Sequence, residues 1–166
     1  MARSDILLEI DGPKIEGESG DQTYKNSIEI MAFSISAQND TTFHRGEGGG
    51  KGKVSLGHLN LTKWHDKSSA PIFNKVCSGE HFQKATLHCR KQTGEGGKGL
   101  EYLTIKMEKC AISSYSSGSH NGADHTENFT IAFQKITIDT KKQTGEGKAE
   151  SGPTASYDHF TGEAKT

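Results

Sequence analysis

Net charge is almost absent from this chain: 20 Lys and Arg stand against 21 Asp and Glu, a balance of −1 with a pI near 6.7. A dedicated nucleic-acid binder carries a basic excess, so nucleic acid is not an expected partner. Long hydrophobic runs are missing too. The longest, Ile30-Met31-Ala32-Phe33, is four residues against about 18 for a membrane span, which argues against insertion into a bilayer. Near the N-terminus the apolar stretch Ile6-Leu7-Leu8 stops at Glu9, well short of a secretory core of about 7–15 residues. The expectation is a cytoplasmic chain, or one that leaves the cell by a route that reads no signal peptide. Cysteine is scarce and odd in number: Cys77, Cys89 and Cys110, spaced 12 and 21 apart, fit neither a disulfide framework nor a zinc knuckle. Buried, reduced thiols are the expected state of all three.

Core-forming residues are few. Leu, Ile, Val and Phe make up about 17% of the 166 residues, under the roughly 20% that usually supports a packed core, yet the neutral balance argues against disorder, which needs net charge as well. A single modest fold with a small core and long polar loops follows, open to completion by burial against other copies. Twenty Gly against three Pro fits loops that bend.

What apolar residues there are fall in short runs with period two or no gap, the mark of strands. Strands are predicted over 6–11, 28–36, 53–61, 83–91, 100–109, 111–117 and 127–140. In the second, Ile28 and Ile30 alternate out of phase with Met31, Phe33 and Ile35, which reads as a strand covered on both faces, as in a barrel or at a subunit contact. In the third, Val54 and Leu56 slip phase against Leu59 and Leu61, a bulge or bend at Gly57. One helix is predicted over about 70–78: Ser68-Ser69-Ala70-Pro71 offers a hydroxyl cap and an early Pro, and Gly79 a stop. Its stripe of Ile72, Phe73, Val76 and Cys77 should plug the β structure through Phe73 and Val76. A long strandless loop, about 37–52, holds five Gly in the seven residues 46–52, and a loop of that length is usually functional or disordered.

Motifs that imitate chemistry do not hold together. Gly94-Glu95-Gly96-Gly97-Lys98-Gly99 has the dinucleotide spacing, but a strand rather than a helix follows it, so it reads as a hairpin loop. No nucleophile elbow or Cys with a local His signature is present, and no enzyme activity is expected. His120, Asp124 and His125 share a loop that lacks a rigid further ligand, so neither a metal nor a cofactor is expected. His88 shares its strand face with Thr86 and Arg90, which reads as solvated. Asn60-Leu61-Thr62 and Asn128-Phe129-Thr130 match the glycosylation pattern, and Ser113 to Ser117 is a hydroxyl-rich strand end. The word Lys-Gln-Thr-Gly-Glu-Gly occurs at 91–96 and at 142–147 with flanks that do not align, so it marks two loops of like composition.

The linear order of features resembles the Hcp (haemolysin-coregulated protein) family, which builds the inner tube of bacterial type VI secretion systems. The resemblance covers about 6–140. It is carried by Gly17-Glu18-Ser19, Gly52-Lys53-Val54, Leu61-Thr62-Lys63-Trp64-His65-Asp66-Lys67-Ser68-Ser69-Ala70-Pro71, Cys77-Ser78-Gly79-Glu80-His81-Phe82, Glu101-Tyr102-Leu103-Thr104-Ile105, Ile112-Ser113-Ser114-Tyr115-Ser116-Ser117-Gly118 and Thr126-Glu127-Asn128-Phe129-Thr130-Ile131.

The resemblance implies an all-β fold: a two-sheet antiparallel β-barrel over 1–140 with one short helix and a long loop between its second and third strands. A polar tail over 141–166 follows, with room for a short final strand and with Tyr157 and Phe160 as its anchors. It further implies a homohexameric ring that stacks into a tube, a contractile sheath around it, a VgrG spike at its tip and small effector proteins in its lumen. Arg45, Gly48, Gly49, Gly50, Lys51 and Lys53 are then the candidate ring-stacking loop, and Ser114 and Ser116 the candidate lumen wall. A monomeric lectin-like β-barrel is the alternative.

Overall fold

The computed structural model describes residues 5–40, 52–91, 99–122, 124–144 and 148–166. Eleven strands and one helix are present among them: β1 (Ile6–Asp11), β2 (Ile28–Glu29), β3 (Ala32–Ser34), β4 (Ala37–Asn39), β5 (Val54–Leu56), β6 (Leu59–Trp64), α1 (Ser69–Ser78), β7 (Phe82–Lys91), β8 (Leu100–Gly118), β9 (Thr126–Gln143), β10 (Ala149–Asp158) and β11 (Glu163–Lys165). The all-β class with one short helix is as predicted, but the two sheets are unequal. Nine strands form one antiparallel sheet whose path runs β11-β10-β9-β8-β7-β1-β2, with β6 on the first half of the same β9 edge that β10 follows and β3 beside β6; β4 and β5 pair alone.

The segment read as a two-sided strand is a strand that changes partner. Ile28 and Glu29 pair with β1, whereas Ala32 to Ser34 pair with β6. Between them the Ile30 N–H reaches Ile6 O at 3.0 Å and the Met31 N–H reaches Thr62 O at 2.7 Å. The phase slips there, so Ile28 and Ile30 are buried and Phe33 and Ile35 pack against the same core. Two in-phase sets facing one core on either side of a kink look, in one dimension, like two faces.

Gly57 does break the third segment. Its N–H donates to Ser36 O at 2.8 Å, and a Cβ there would lie 2.5 Å from Ser36 Oγ, so a larger residue would have to turn that hydroxyl aside. The predicted strands 100–109 and 111–117 are one 19-residue strand, bent where Lys109 takes a φ of 53° and where the register shifts between Ile112 and Ser114. The tail departs further from expectation. Ten residues of it form β10 against the second half of β9; Tyr157 packs on the core, but Phe160 is 85% exposed and anchors nothing.

The helix stops at Gly79 as predicted, in the left-handed conformation with φ 66° and its N–H on Lys75 O. Its start and its buried face differ. Ser68 makes no side-chain cap; Asp66 Oδ1 accepts the Ser68 N–H at 2.9 Å instead. Ile72 is the main apolar plug, fully buried, and Val76 packs against the core as expected, while Phe73 is 55% exposed and leans on Tyr115 with ring centroids 5.7 Å apart. Cys77 is exposed, which corrects its expected burial: on so short a helix the inward stripe is Ser69, Ile72 and Lys75. Cys89 and Cys110 are buried as expected, and burial pushes their thiols up to about 11 and about 12, leaving them protonated and unreactive.

Candidate functional site

The sheet and helix are joined through a buried polar cluster. Cross-strand pairs between β6 and β9 run Leu59 with Ile131, Leu61 with Phe129, then Lys63 with Glu127. Strand alternation therefore carries Lys63 into the row that holds the core leucines. Both charged side chains are fully buried, 2.9 Å apart. Lys63 Nζ also donates to Trp64 O at 3.0 Å, Asp66 Oδ1 at 2.8 Å and Ser69 Oγ at 3.0 Å. Glu127 accepts from Ser69 Oγ at 2.6 Å and Tyr115 OH at 2.8 Å, and its Oε1 lies 2.8 Å from His65 Nδ1. Burial raises the Glu127 carboxyl, but the bonds from Ser69, Lys63, His65 and Tyr115 outweigh it and hold the group at about 2. A saturated network of this kind fixes one geometry: here it locks the helix entrance to β6, β8 and β9.

A second cluster covers the outer face of β1, β7 and β8, where solvent was expected. His88 is buried, with Nε2 2.9 Å from Glu9 Oε2 and Nδ1 3.4 Å from Glu101 Oε1. Tyr24, from the loop between β1 and β2, stacks on it at 4.0 Å and donates to Glu101 Oε2 at 2.5 Å. Beside them Arg90 pairs with Asp21 at 2.6 Å, and that bond holds Asp21 at about 2. Burial raises the Glu101 carboxyl, but the Thr104 and Tyr24 hydroxyls bring it below its ordinary value. The alternation of His88 with Leu87 and Cys89 gives two faces; it does not show that Tyr24, 64 residues earlier, lies over the polar one.

Of the candidate stacking loop, Arg45, Gly48, Gly49, Gly50 and Lys51 lie outside the described residues. Lys53 is exposed at the base of β5, and its carbonyl accepts the Asp40 N–H at 3.3 Å. The first residues of the expected strandless span are the exposed strand β4, paired with β5. The span that the sequence presents as a bare loop therefore begins as a two-stranded arm apart from the main sheet.

Ser114 and Ser116 are exposed, on the face of β8 opposite Tyr115 and the helix. They do not stand alone. Ser114 pairs with Thr130 and Ser116 with Asn128 across to β9, Thr130 and Asn128 with Asn60 and Thr62 across to β6, and those with Ser34 and Ala32 of β3. Hydroxyls and amides bond across this wall: Ser114 Oγ to Thr130 Oγ1 at 2.7 Å, Thr62 Oγ1 to Asn128 Oδ1 at 2.7 Å. Every one of these eight residues is uncharged. Both Asn-x-Thr tripeptides belong to it, because a spacing of two puts Asn and Thr on one side of a strand; that was the available signal for the wall's extent.

The apparent dinucleotide loop joins β7 to β8, with Lys91 opposite Leu100, and the second copy of the Lys-Gln-Thr-Gly-Glu-Gly word that overlaps it lies between β9 and β10, with Gln143 opposite Ala149. Both words therefore mark hairpin connections. Among the described residues no helix is long and apolar enough to cross a membrane.

Against known proteins, the family described as "Type VI secretion system effector, Hcp" matches residues 7–139, from β1 through most of β9. The chain belongs to the Hcp family. It is 36% identical over 140 residues, 84% of this chain and 85% of the relative, to Protein hcp1 of Pseudomonas aeruginosa. A solved type six secretion system protein shares the fold with a TM-score of 0.88 at 27% identity, over 98% of this chain and 99% of that one. Hcp1 from Salmonella typhimurium aligns with a TM-score of 0.73 at 26% identity, over 97% and 98% of the two chains. Membership makes this chain a structural subunit of the type VI secretion tube, secreted by that system.

Proposed function

We propose that this Hcp-family chain assembles into homohexameric rings that stack into a tube, are expelled from the cytoplasm by a contractile sheath behind a VgrG spike, and carry small effectors in the lumen without catalysing a reaction. The observation that carries this reading is the family match from β1 to β9 together with a fold likeness that spans nearly the whole chain.

Two surfaces fit it. The β4–β5 arm leaves the main sheet with β4 wholly exposed, and at its base Gly52 sits so close to Asp40 that a Cβ would meet Asp40 O at 2.1 Å. Arg45, Lys51 and Lys53 outnumber Asp40 and Glu47 and leave this span mildly basic, suited to an acidic patch on the next ring. Deleting residues 46–52 is expected to leave rings of unchanged mass while abolishing stacking seen by electron microscopy, and rising salt is expected to weaken stacking of the intact chain. Stacking that survives the deletion would remove the arm from the reading; stacking indifferent to salt would remove its charges.

The uncharged wall around Ser114, Ser116, Asn128 and Thr130 supports the lumen assignment, since a surface without charge or large apolar groups binds cargo weakly enough to release it. A photo-crosslinker at Ser116 is expected to trap a co-expressed effector. Capture of neighbouring tube subunits alone would place that wall elsewhere.

A further inference from the structure

Beyond the Lys63–Glu127 pair, the β6–β9 ladder continues for one more same-face step. The His65 N–H donates to His125 O at 3.0 Å, so His65 and His125 stand opposite each other directly above Lys63 and Glu127. Their rings stack with centroids 4.6 Å apart. Two imidazoles and the Glu127 carboxylate thus project from one face of two paired strands, and their donor atoms lie within 4.8 Å of one another. From this juxtaposition we infer that His65, His125 and Glu127 form a binding site for a divalent transition-metal ion such as zinc.

The donor set suits such an ion. Two His and one carboxylate are a recurring three-ligand zinc shell that leaves a fourth position for water. Bonds of 2.0–2.2 Å to a tetrahedral ion set ligand atoms about 3.4 Å apart, so the side chains close inward by roughly 1 Å and the stacked rings turn to aim at a common point. His65 supplies the movement, since its side chain is 55% exposed, while Glu127 is the fixed end, fully buried. The ion takes the place of the His65–Glu127 hydrogen bond, and each ligating ring nitrogen gives up any proton it carries while the other nitrogen of that ring keeps its N–H.

Lys63 does not cancel the site. Its ammonium bonds Glu127 Oε2, whereas Oε1 faces the imidazole. It also pairs with Asp66 at 2.8 Å, so one cation is shared by two carboxylates and the cluster keeps a net negative charge. Outer groups that orient the ligands are in place: Tyr115 OH bonds Glu127 Oε1 at 2.8 Å and Ser117 Oγ lies 2.5 Å from His125 Nε2. His120 and Asp124, the residues that sequence spacing offered alongside His125, stand outside the cluster.

The test is titration of the untagged, full-length chain with cobalt(II), read by its visible ligand-field bands, followed by displacement with zinc. One saturable equivalent per chain is expected. His65→Ala and His125→Ala should each weaken binding tenfold or more, His120→Ala should leave it unchanged, and zinc should raise the melting temperature of the native chain but not of His65→Ala. Absence of saturable binding would overturn the inference. So would binding that survives both His65→Ala and His125→Ala, or that is lost in His120→Ala.

Discussion

Glu127→Ala is expected to lower the free energy of unfolding by about 3–5 kcal/mol, the range for removing one partner of a buried ion pair. Lys63 has no exposed side-chain surface, so the stranded ammonium cannot reach water without opening the helix entrance. Asp66 alone would be left to balance it, and the Ser69 and Tyr115 hydroxyls would lose their acceptor. Set against total stabilities of about 5–15 kcal/mol, this is among the most damaging single changes available. The double variant Lys63→Met with Glu127→Leu removes both charges and is expected to recover most of the loss, because well-packed apolar replacements of buried pairs are often neutral or better. Urea unfolding at one fixed protein concentration checks both, with the m-value showing whether only stability has changed. A loss under about 1 kcal/mol for Glu127→Ala would mean that the entrance is wet and the network is not a lock.

Acid should unfold the chain through the same kind of group. Glu127 and Asp21 both sit at about 2 in the fold, against about 4.3 and 3.9 in an unfolded chain. A depressed folded value means stability that is complete above the unfolded value and is lost as pH falls toward the folded one. The window is therefore from about pH 5 down to about pH 2, and each group contributes on the order of 2–3 kcal/mol. Arg90 stays charged throughout, so the Asp21 share is lost by protonation of Asp21 alone. Melting temperatures are expected to be flat from neutral pH to about 5 and to fall steeply below about 4, with Asp21→Asn less stable at neutral pH and less sensitive to acid. An acid profile unchanged in Asp21→Asn would contradict that assignment.

The parts of the fold that declare themselves locally were legible in the sequence. The first strand has the predicted limits, Gly57 breaks the third segment and Gly79 ends the helix, because each depends on side-chain alternation or on a backbone conformation glycine permits. What failed depended on distant partners. Nothing near Ile30 and Met31 says that the chain changes neighbour there, from β1 to β6. Nothing near residue 149 says that a polar tail will find a free edge on β9; main-chain bonds made β10 without an apolar pattern to announce it. Phe73 and Cys77 stand outside the buried face because a ten-residue helix buries one narrow stripe, and a polar Ser69 and Lys75 hold two places in it.

The candidate surfaces divide in the same way. Ser114 and Ser116 could be seen as a polar strand end, and their neighbours Asn60, Thr62, Asn128 and Thr130 were visible only as glycosylation-like tripeptides until strand pairing placed them on one wall. The Lys63–Glu127 cluster sat inside two segments that carried the family resemblance. Lys63 following Leu59 and Leu61 at the same spacing was a usable sign of burial, but its partner lies 64 residues away.

The most direct test of the assembly reading is the mass of the purified chain by light scattering after size exclusion, with negative-stain images of the same peak. Six copies of 18.0 kDa give 108 kDa, and the account predicts that mass with six-fold rings. A chain that stays an 18.0 kDa monomer at high concentration would contradict it and leave a monomeric β-rich binding module in its place.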